Sequence, residues 1–149
     1  MKIIRLDEKQ ITGISIRTTN AREMNPATSK IGGLHQQFDE KVSVDYKSGA
    51  RVYGVYYYYE SDYSGEFSVL AGTDQIGQAP IDNLESVTIA SGTYLLFEAT
   101  GEVPQIVIET WSTIWNYFSK EDAPYQRAYT TDFEFYKNKN EIEICIAVK

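Results

Sequence analysis

The chain is short of the residues that most enzymatic and metal chemistry is built from. It has one cysteine and one histidine in 149 residues. A lone Cys145 cannot close an internal disulfide, which suits a reducing cytoplasm. A lone His35 excludes a histidine-rich metal site and leaves a single candidate base for any catalytic triad. Cations are scarce too: 14 Lys and Arg against 21 Asp and Glu give a net charge of −7. Phosphate backbones need a basic footprint, so direct nucleic-acid binding is not expected. No run approaches the roughly 20 apolar residues of a membrane span, and the start, MKIIRLDEKQ, turns charged too soon for a signal peptide. The expectation is a cytoplasmic protein without membrane contact. Walker loop, dinucleotide fingerprint, HExxH and EF-hand spacings are absent, so neither cofactor nor metal is expected.

What the chain does have is aromatic side chains. Twelve Tyr, six Phe and two Trp make up 13% of it, and they are clustered. In an acidic single domain, that composition points toward a ligand pocket more than a catalytic centre. At this length about 68–70% of the extended-chain surface is buried on folding, enough for a core without staples.

Periodicity organises the chain into two similar halves. In the first, 3–9 and 11–19 read as strands, and a helix capped by Asn25 and started by Pro26 carries Ile31, Leu34, His35 and Phe38 to about Val42. Turn chemistry at 45–50 leads to a strand over 51–60 and a second hairpin arm over 66–72. Residues 73–85 read as a connection. In the second half, 86–91 and 93–100 are strand pieces. Val107, Trp111, Ile114, Trp115 and Phe118 then mark one apolar helix face, and 129–136 with 141–148 form a hairpin. A shift of 80 residues superposes the helices, and one of 75 superposes the hairpins. The fold class expected is α+β: one domain over 1–149 with pseudo-repeats at about 1–73 and 86–149. Two βαββ units would form one antiparallel sheet with two helices on one face and a central ligand cleft.

Glu134 is the most informative residue. Strand alternation puts Asp132, Glu134 and Tyr136 on one face and Phe133 and Phe135 on the other. The 75-residue shift makes Tyr57 and Tyr59 the counterparts of Asp132 and Glu134. One cleft wall would then offer tyrosine rings and the other carboxylates, which together suit a bulky organic cation. Trp111 and Trp115 lie one helical turn apart and could floor such a pocket. Glu143 alternates with Ile142 and Ile144 and is a candidate second carboxylate behind Glu134. His35 reads as a packing or surface histidine. Gly32 and Gly33, inside the helical pattern, suggest close approach by another element.

The segments FEATGEVP at 97–104, IWNYF at 114–118, DFEFY at 132–136, EIEICIAV at 141–148 and YGVYYYYESDYSGEF at 53–67 resemble the GyrI-like small-molecule-binding domain. That domain is the effector-binding module of AraC-type and multidrug-sensing MerR-type transcription regulators. The resemblance implies a duplicated βαββ fold whose cleft takes hydrophobic, often cationic, ligands. It carries the charge-neutralising glutamate to Glu134 and a second acidic position to Glu143. Tyr57, Tyr59, Phe97, Trp111 and Trp115 follow as cleft lining. No helix-turn-helix fits before residue 11, so a stand-alone, non-enzymatic binder is expected. The alternatives are a protein-protein modulator of a DNA-acting partner and a hydrolase of reactive natural products. Tyr-rich strand edges leave a homodimer open, and a protein partner as well.

Overall fold

The computed structural model describes residues 1–75 and 83–149. Its strands are β1 (Lys2–Leu6), β2 (Lys9–Thr18), β3 (Val52–Tyr57), β4 (Phe67–Thr73), β5 (Glu85–Ile89), β6 (Gly92–Thr100), β7 (Arg127–Tyr136) and β8 (Glu141–Val148). The helices are α1 (Asn20–Met24), α2 (Ile31–Lys41) and α3 (Gln105–Phe118), with a short 3-10 turn at Tyr46–Ser48.

All eight strands join one antiparallel sheet in the order β1-β6-β8-β7-β3-β4-β2-β5. Outward from the centre, one side reads β3-β4-β2-β5 and the other β7-β8-β6-β1. The βαββ units β2-α2-β3-β4 and β6-α3-β7-β8 therefore occupy matching positions, as the two-unit reading expects. Each outermost strand has been exchanged: β1 precedes β2 but pairs with β6, and β5 precedes β6 but pairs with β2.

That exchange forces the sheet to curl. Only Asp7 and Glu8 link β1 to β2, so Leu6 and Lys9 can be at most about 11 Å apart. In a flat sheet the six strand spacings between them would amount to about 29 Å. One face closes on itself, and its core draws on every strand: Ile4, Ile11, Val55, Leu70, Ile89, Leu96, Phe133 and Cys145 belong to one apolar cluster.

Helices α2 and α3 cover the other face. Leu34 and Phe38 of α2 pack on Val52, Tyr56 and Val69, while Ile114 of α3 packs on Leu95, Ile142, Ile144 and Ile146. Trp111 and Tyr136 touch both clusters and so mark the seam between the two units.

Three expectations need correction. The helix does not start at Pro26. Asn25 instead caps the C-terminus of α1, whose own N-cap is the Thr19 side chain, and α2 begins at Ile31. Gly32 and Gly33 meet no approaching element, since a Cβ at either would have nothing within 4 Å. The tyrosine strand ends at Tyr57 rather than at residue 60, because Tyr58 takes a left-handed backbone (φ 49°) that breaks the pleat. The connection expected over 73–85 has its ends in β4 and β5, and its middle, 76–82, lies outside the described residues.

Candidate functional site

Between α2 and α3, over the central strands β3 and β7, lies a cavity of about 1180 Å³. This exceeds the usual 300–1,000 Å³ of small-molecule pockets and has room for a bulky ligand. Ile31, His35, Tyr56, Phe67, Trp111 and Tyr136 contribute to its walls. Its mouth is apolar as well. Nine large hydrophobic side chains are exposed among the described residues, and six of them (Met24, Tyr46, Tyr63, Val103, Ile108 and Trp115) line this cavity. Exposed apolar surface is thus concentrated where a ligand would cover it.

Glu134 sits at the base, 1% exposed. Three donors hold its carboxylate. Tyr56 Oη and Trp111 Nε1 donate to Oε2 at 2.8 and 2.7 Å, and Tyr136 Oη donates to Oε1 at 2.8 Å. Burial, reinforced by the neighbouring Glu134 charge, holds the Tyr56 and Tyr136 hydroxyls well above the ordinary tyrosine range, so they remain protonated donors. None of the three donors carries a positive charge. The nearest cationisable group is His35, whose Nε2 lies 4.0 Å from Oε1 and has no hydrogen-bond partner among the described residues. Gly54 makes the arrangement fit: it pairs with Glu134 across the sheet, and a Cβ there would lie 2.7 Å from Oε1 and 3.3 Å from His35 Nε2.

The second buried carboxylate on this strand is handled differently. Asp132, 0% exposed, accepts from Arg127 Nη2 at 2.6 Å, from Tyr59 Oη at 2.5 Å and from the Ala147 backbone N–H at 2.8 Å. Burial is the largest influence on the Arg127 pKa and lowers it, but the Asp132 charge and hydrogen bond, together with Tyr59 and Tyr129, outweigh it and the net shift is upward, so the pair is ionic. The Arg127 guanidinium also stacks 4.5 Å from the Tyr129 ring centroid. Asp132 therefore has a hydrogen-bonded counter-ion, whereas among the described residues Glu134 has three neutral donors and only the His35 imidazole, 4.0 Å away, in place of one. Burying a carboxylate is costly without a partner, and neutral hydrogen bonds offset that only in part.

The structure brings four of the seven expected site residues to this cavity: Glu134, Trp111, Trp115 and Tyr59. Trp115 stands at the mouth, 6.2 Å from the Trp111 ring centroid. The other three fall elsewhere. Tyr57 packs in the closed face with Val55 and Leu70, because β3 turns Val52, Gly54 and Tyr56 toward the helices and its odd-numbered residues away. Glu143 is on that opposite face too, paired with Phe135, while Ile144 pairs with Glu134. It therefore cannot stand behind Glu134. Phe97 is core under α3, edge-on to Tyr117. Tyr56, Tyr136 and His35 were missed. An available signal was Gly54, a glycine inside an otherwise β-branched and aromatic strand, which marks close approach by another group.

A curled antiparallel sheet with two helices flanking an aromatic, carboxylate-based cavity defines a small-molecule effector-binding fold. The sequence agrees: residues 2–148 match the family described as Cass2, integron-associated effector binding protein, and the chain belongs to it. The crystal structure of the integron cassette protein VCH_CASS2, from the mobile metagenome of Vibrio cholerae, is 44% identical with a TM-score of 0.90, covering 99% of this chain and 95% of that one. The structure of SAV2435 bound to tetraphenylphosphonium is 25% identical with a TM-score of 0.71, covering 99% and 93%. The Bacillus subtilis (strain 168) protein YobU, named provisionally as a transcriptional regulator, is 27% identical over 161 residues, covering 99% of this chain and 96% of its own. Among the described residues no helix is long and apolar enough to cross a membrane.

Proposed function

We propose that this protein binds bulky, hydrophobic organic cations as effectors, in the cavity between α2 and α3, without turning them over. Aromatic faces, Trp111 and Trp115 above all, stack on the ligand, and Glu134 supplies the charge that selects its sign. The observation that carries this reading is the contrast within β7. Asp132 is paired with Arg127, whereas Glu134 is buried at 1% exposure and held only by neutral donors. A cation entering the cavity would meet the one buried carboxylate on this strand that is not hydrogen-bonded to a cation among the described residues, flanked by rings whose faces favour it by about 0.5–2 kcal/mol each. The binding of tetraphenylphosphonium by SAV2435 supports the same chemistry.

The test compares two ions of the same shape and opposite sign, tetraphenylphosphonium and tetraphenylborate. At 100 times its dissociation constant a ligand stabilises the fold by about 2.7 kcal/mol. The phosphonium should raise the thermal midpoint and alter Trp fluorescence, the borate should do neither, and the phosphonium should be recovered unchanged. Equal binding of both ions would remove Glu134 from the account, and consumption of the ligand would replace binding with catalysis.

A further inference from the structure

The cavity lining carries a second group of charges besides Glu134 at its base. Where β3 begins and β7 ends, three residues along the strands from the Gly54–Glu134 pair, it is lined by Arg51, Lys137 and Lys139. Arg51 is held in place: Nε donates to the Lys137 carbonyl at 3.1 Å, Nη1 donates to the Ala50 and Tyr46 carbonyls at 2.8 and 3.2 Å, and the guanidinium lies 5.7 Å from the Tyr46 ring centroid. All these acceptors are neutral. Among the described residues no carboxylate pairs with the guanidinium and Nη2 has no acceptor. Lys139 has no ion pair among those residues, and Lys137 has only Glu141 at 3.9 Å, an exposed contact of little energy. The carboxylates to set against them are Asp39 of α2 in the lining and Asp74, which accepts from the Arg51 backbone N–H at 3.1 Å and is paired with Lys9 at 3.5 Å. Elsewhere in the lining, the Arg127 charge is taken by Asp132, and Glu23 is engaged by the Lys30 and Ile31 N–H groups and the Thr18 hydroxyl. In a chain of net charge −7, three cations with little or no carboxylate compensation in the lining of a ligand cavity form a feature of their own.

We infer that Arg51, Lys137 and Lys139 form an anion-accepting subsite, so that the preferred ligands are rigid zwitterions or amphiphiles with an anionic group at the end opposite their cationic centre. This rests on the cation reading of Glu134. The spacing follows from the register. Gly54 pairs with Glu134, Arg51 lies three residues before Gly54, and Lys137 lies three residues after Glu134. At about 3.3 Å per residue, Arg51 and Lys137 lie about 10 Å along the strands from the Gly54–Glu134 pair, measured at the backbone. With Nε and Nη1 already given to backbone carbonyls, Arg51 offers Nη2 for one fixed charge-assisted contact to a carboxylate or phosphate, and the lysines add field without geometry.

The probe is a fluoroquinolone, with a piperazinium at one end of a rigid ring system and a carboxylate at the other, set beside its methyl ester, which keeps only the cation. Tetraphenylphosphonium is the third ligand, and affinities are read by calorimetry. The wild type should bind the acid about tenfold more tightly than the ester, the gain of one charge-assisted contact less its desolvation. Arg51→Gln and Lys139→Glu should each shrink that ratio toward one, and Arg51→Lys should restore part of it. Lys139 is exposed, so its variant does not threaten the fold. Tetraphenylphosphonium affinity should hold or rise slightly in these variants, because a repelling charge has gone. Equal binding of acid and ester in the wild type, or a ratio that survives both variants, overturns the subsite and leaves the Glu134 reading intact. A ratio that depends on Arg51, in a protein indifferent to tetraphenylphosphonium, keeps the subsite and overturns the Glu134 reading. Failure of all three ligands overturns both.

Discussion

Adding a single methyl group at Gly54 tests whether Glu134 is as tightly placed as its contacts imply. A Cβ there would lie 2.7 Å from Glu134 Oε1, whereas ordinary contact begins near 3.4 Å, so the carboxylate must retreat by about 0.7 Å. It is held by three bonds of 2.7–2.8 Å, and a shift of that size takes at least one of them to the limit of hydrogen bonding. A bond to a charged group contributes about 1.5–3 kcal/mol, and overpacking costs about 1–3 kcal/mol. Against this, Ala in place of Gly gains about 0.4–1 kcal/mol through the unfolded chain. The balance is a loss of about 1.5–5.6 kcal/mol, a fall of at least several degrees in thermal midpoint for a domain of this size. Urea unfolding followed by Trp fluorescence reads both stability and the Trp111 environment. The same variant should lose at least tenfold in tetraphenylphosphonium affinity. A Gly54→Ala protein that is more stable than wild type, with unchanged affinity, would refute the placement of Glu134.

Arg127→Met should cost about 3–5 kcal/mol by stranding the Asp132 charge, and Arg127→Met with Asp132→Asn should recover much of that; denaturant midpoints would show it. Burial first, and neighbouring carboxylates second, hold Tyr56, Tyr59 and Tyr136 well above the ordinary value of 10.0. Their folded forms therefore keep protons that the unfolded chain loses. Stability complete below pH 10 should fall as pH rises beyond it, by up to about 1.4 kcal/mol per unit per tyrosine; urea midpoints at pH 9 and 11, with absorbance at 295 nm, check this. Burial also pushes the Cys145 thiol up to about 12, so it should resist a thiol reagent at pH 8 in the native protein and react once unfolded.

Much of the fold was legible because it rests on periodicity. The 3.6-residue stripe of α3 and the alternation of β7 and β8 placed Trp111, Glu134 and the isoleucines on the faces they occupy. The exchange of β1 and β5 was not legible, since two-residue links ordinarily make hairpins and only the three-dimensional pairing shows otherwise. The error at Tyr57 has a simple cause. A shift of 75 superposes the later arms, where Phe67 and Ile142 both face the helices. Gly54 and Glu134 also share that face, and 134 − 54 is 80, so the earlier arms need an even shift. An odd shift flips every side chain, which exchanged Tyr56 for Tyr57. Tyr59 reached the cavity only because the left-handed Tyr58 resets the alternation, a backbone event with no glycine to announce it. Glu143 failed on parity alone: its alternation with the isoleucines already placed it away from Glu134. Glu134, Trp111, Trp115 and Tyr59 were found together; the Tyr56 and Tyr136 donors and the nearby His35 needed the register and the helix placement.

The most direct test of the account is the affinity of tetraphenylphosphonium for Glu134→Gln beside wild type, by calorimetry at fixed pH and salt. The glutamine keeps the shape of the side chain and an oxygen for Tyr56 and Trp111, and Tyr136 can turn its hydroxyl to accept. Only the charge is removed. The account predicts a loss of about 2 kcal/mol or more, roughly thirtyfold in affinity, in a protein at least as stable as wild type. Equal affinity in the two proteins would contradict it, leaving an apolar cavity in which Glu134 plays no part in choosing the ligand.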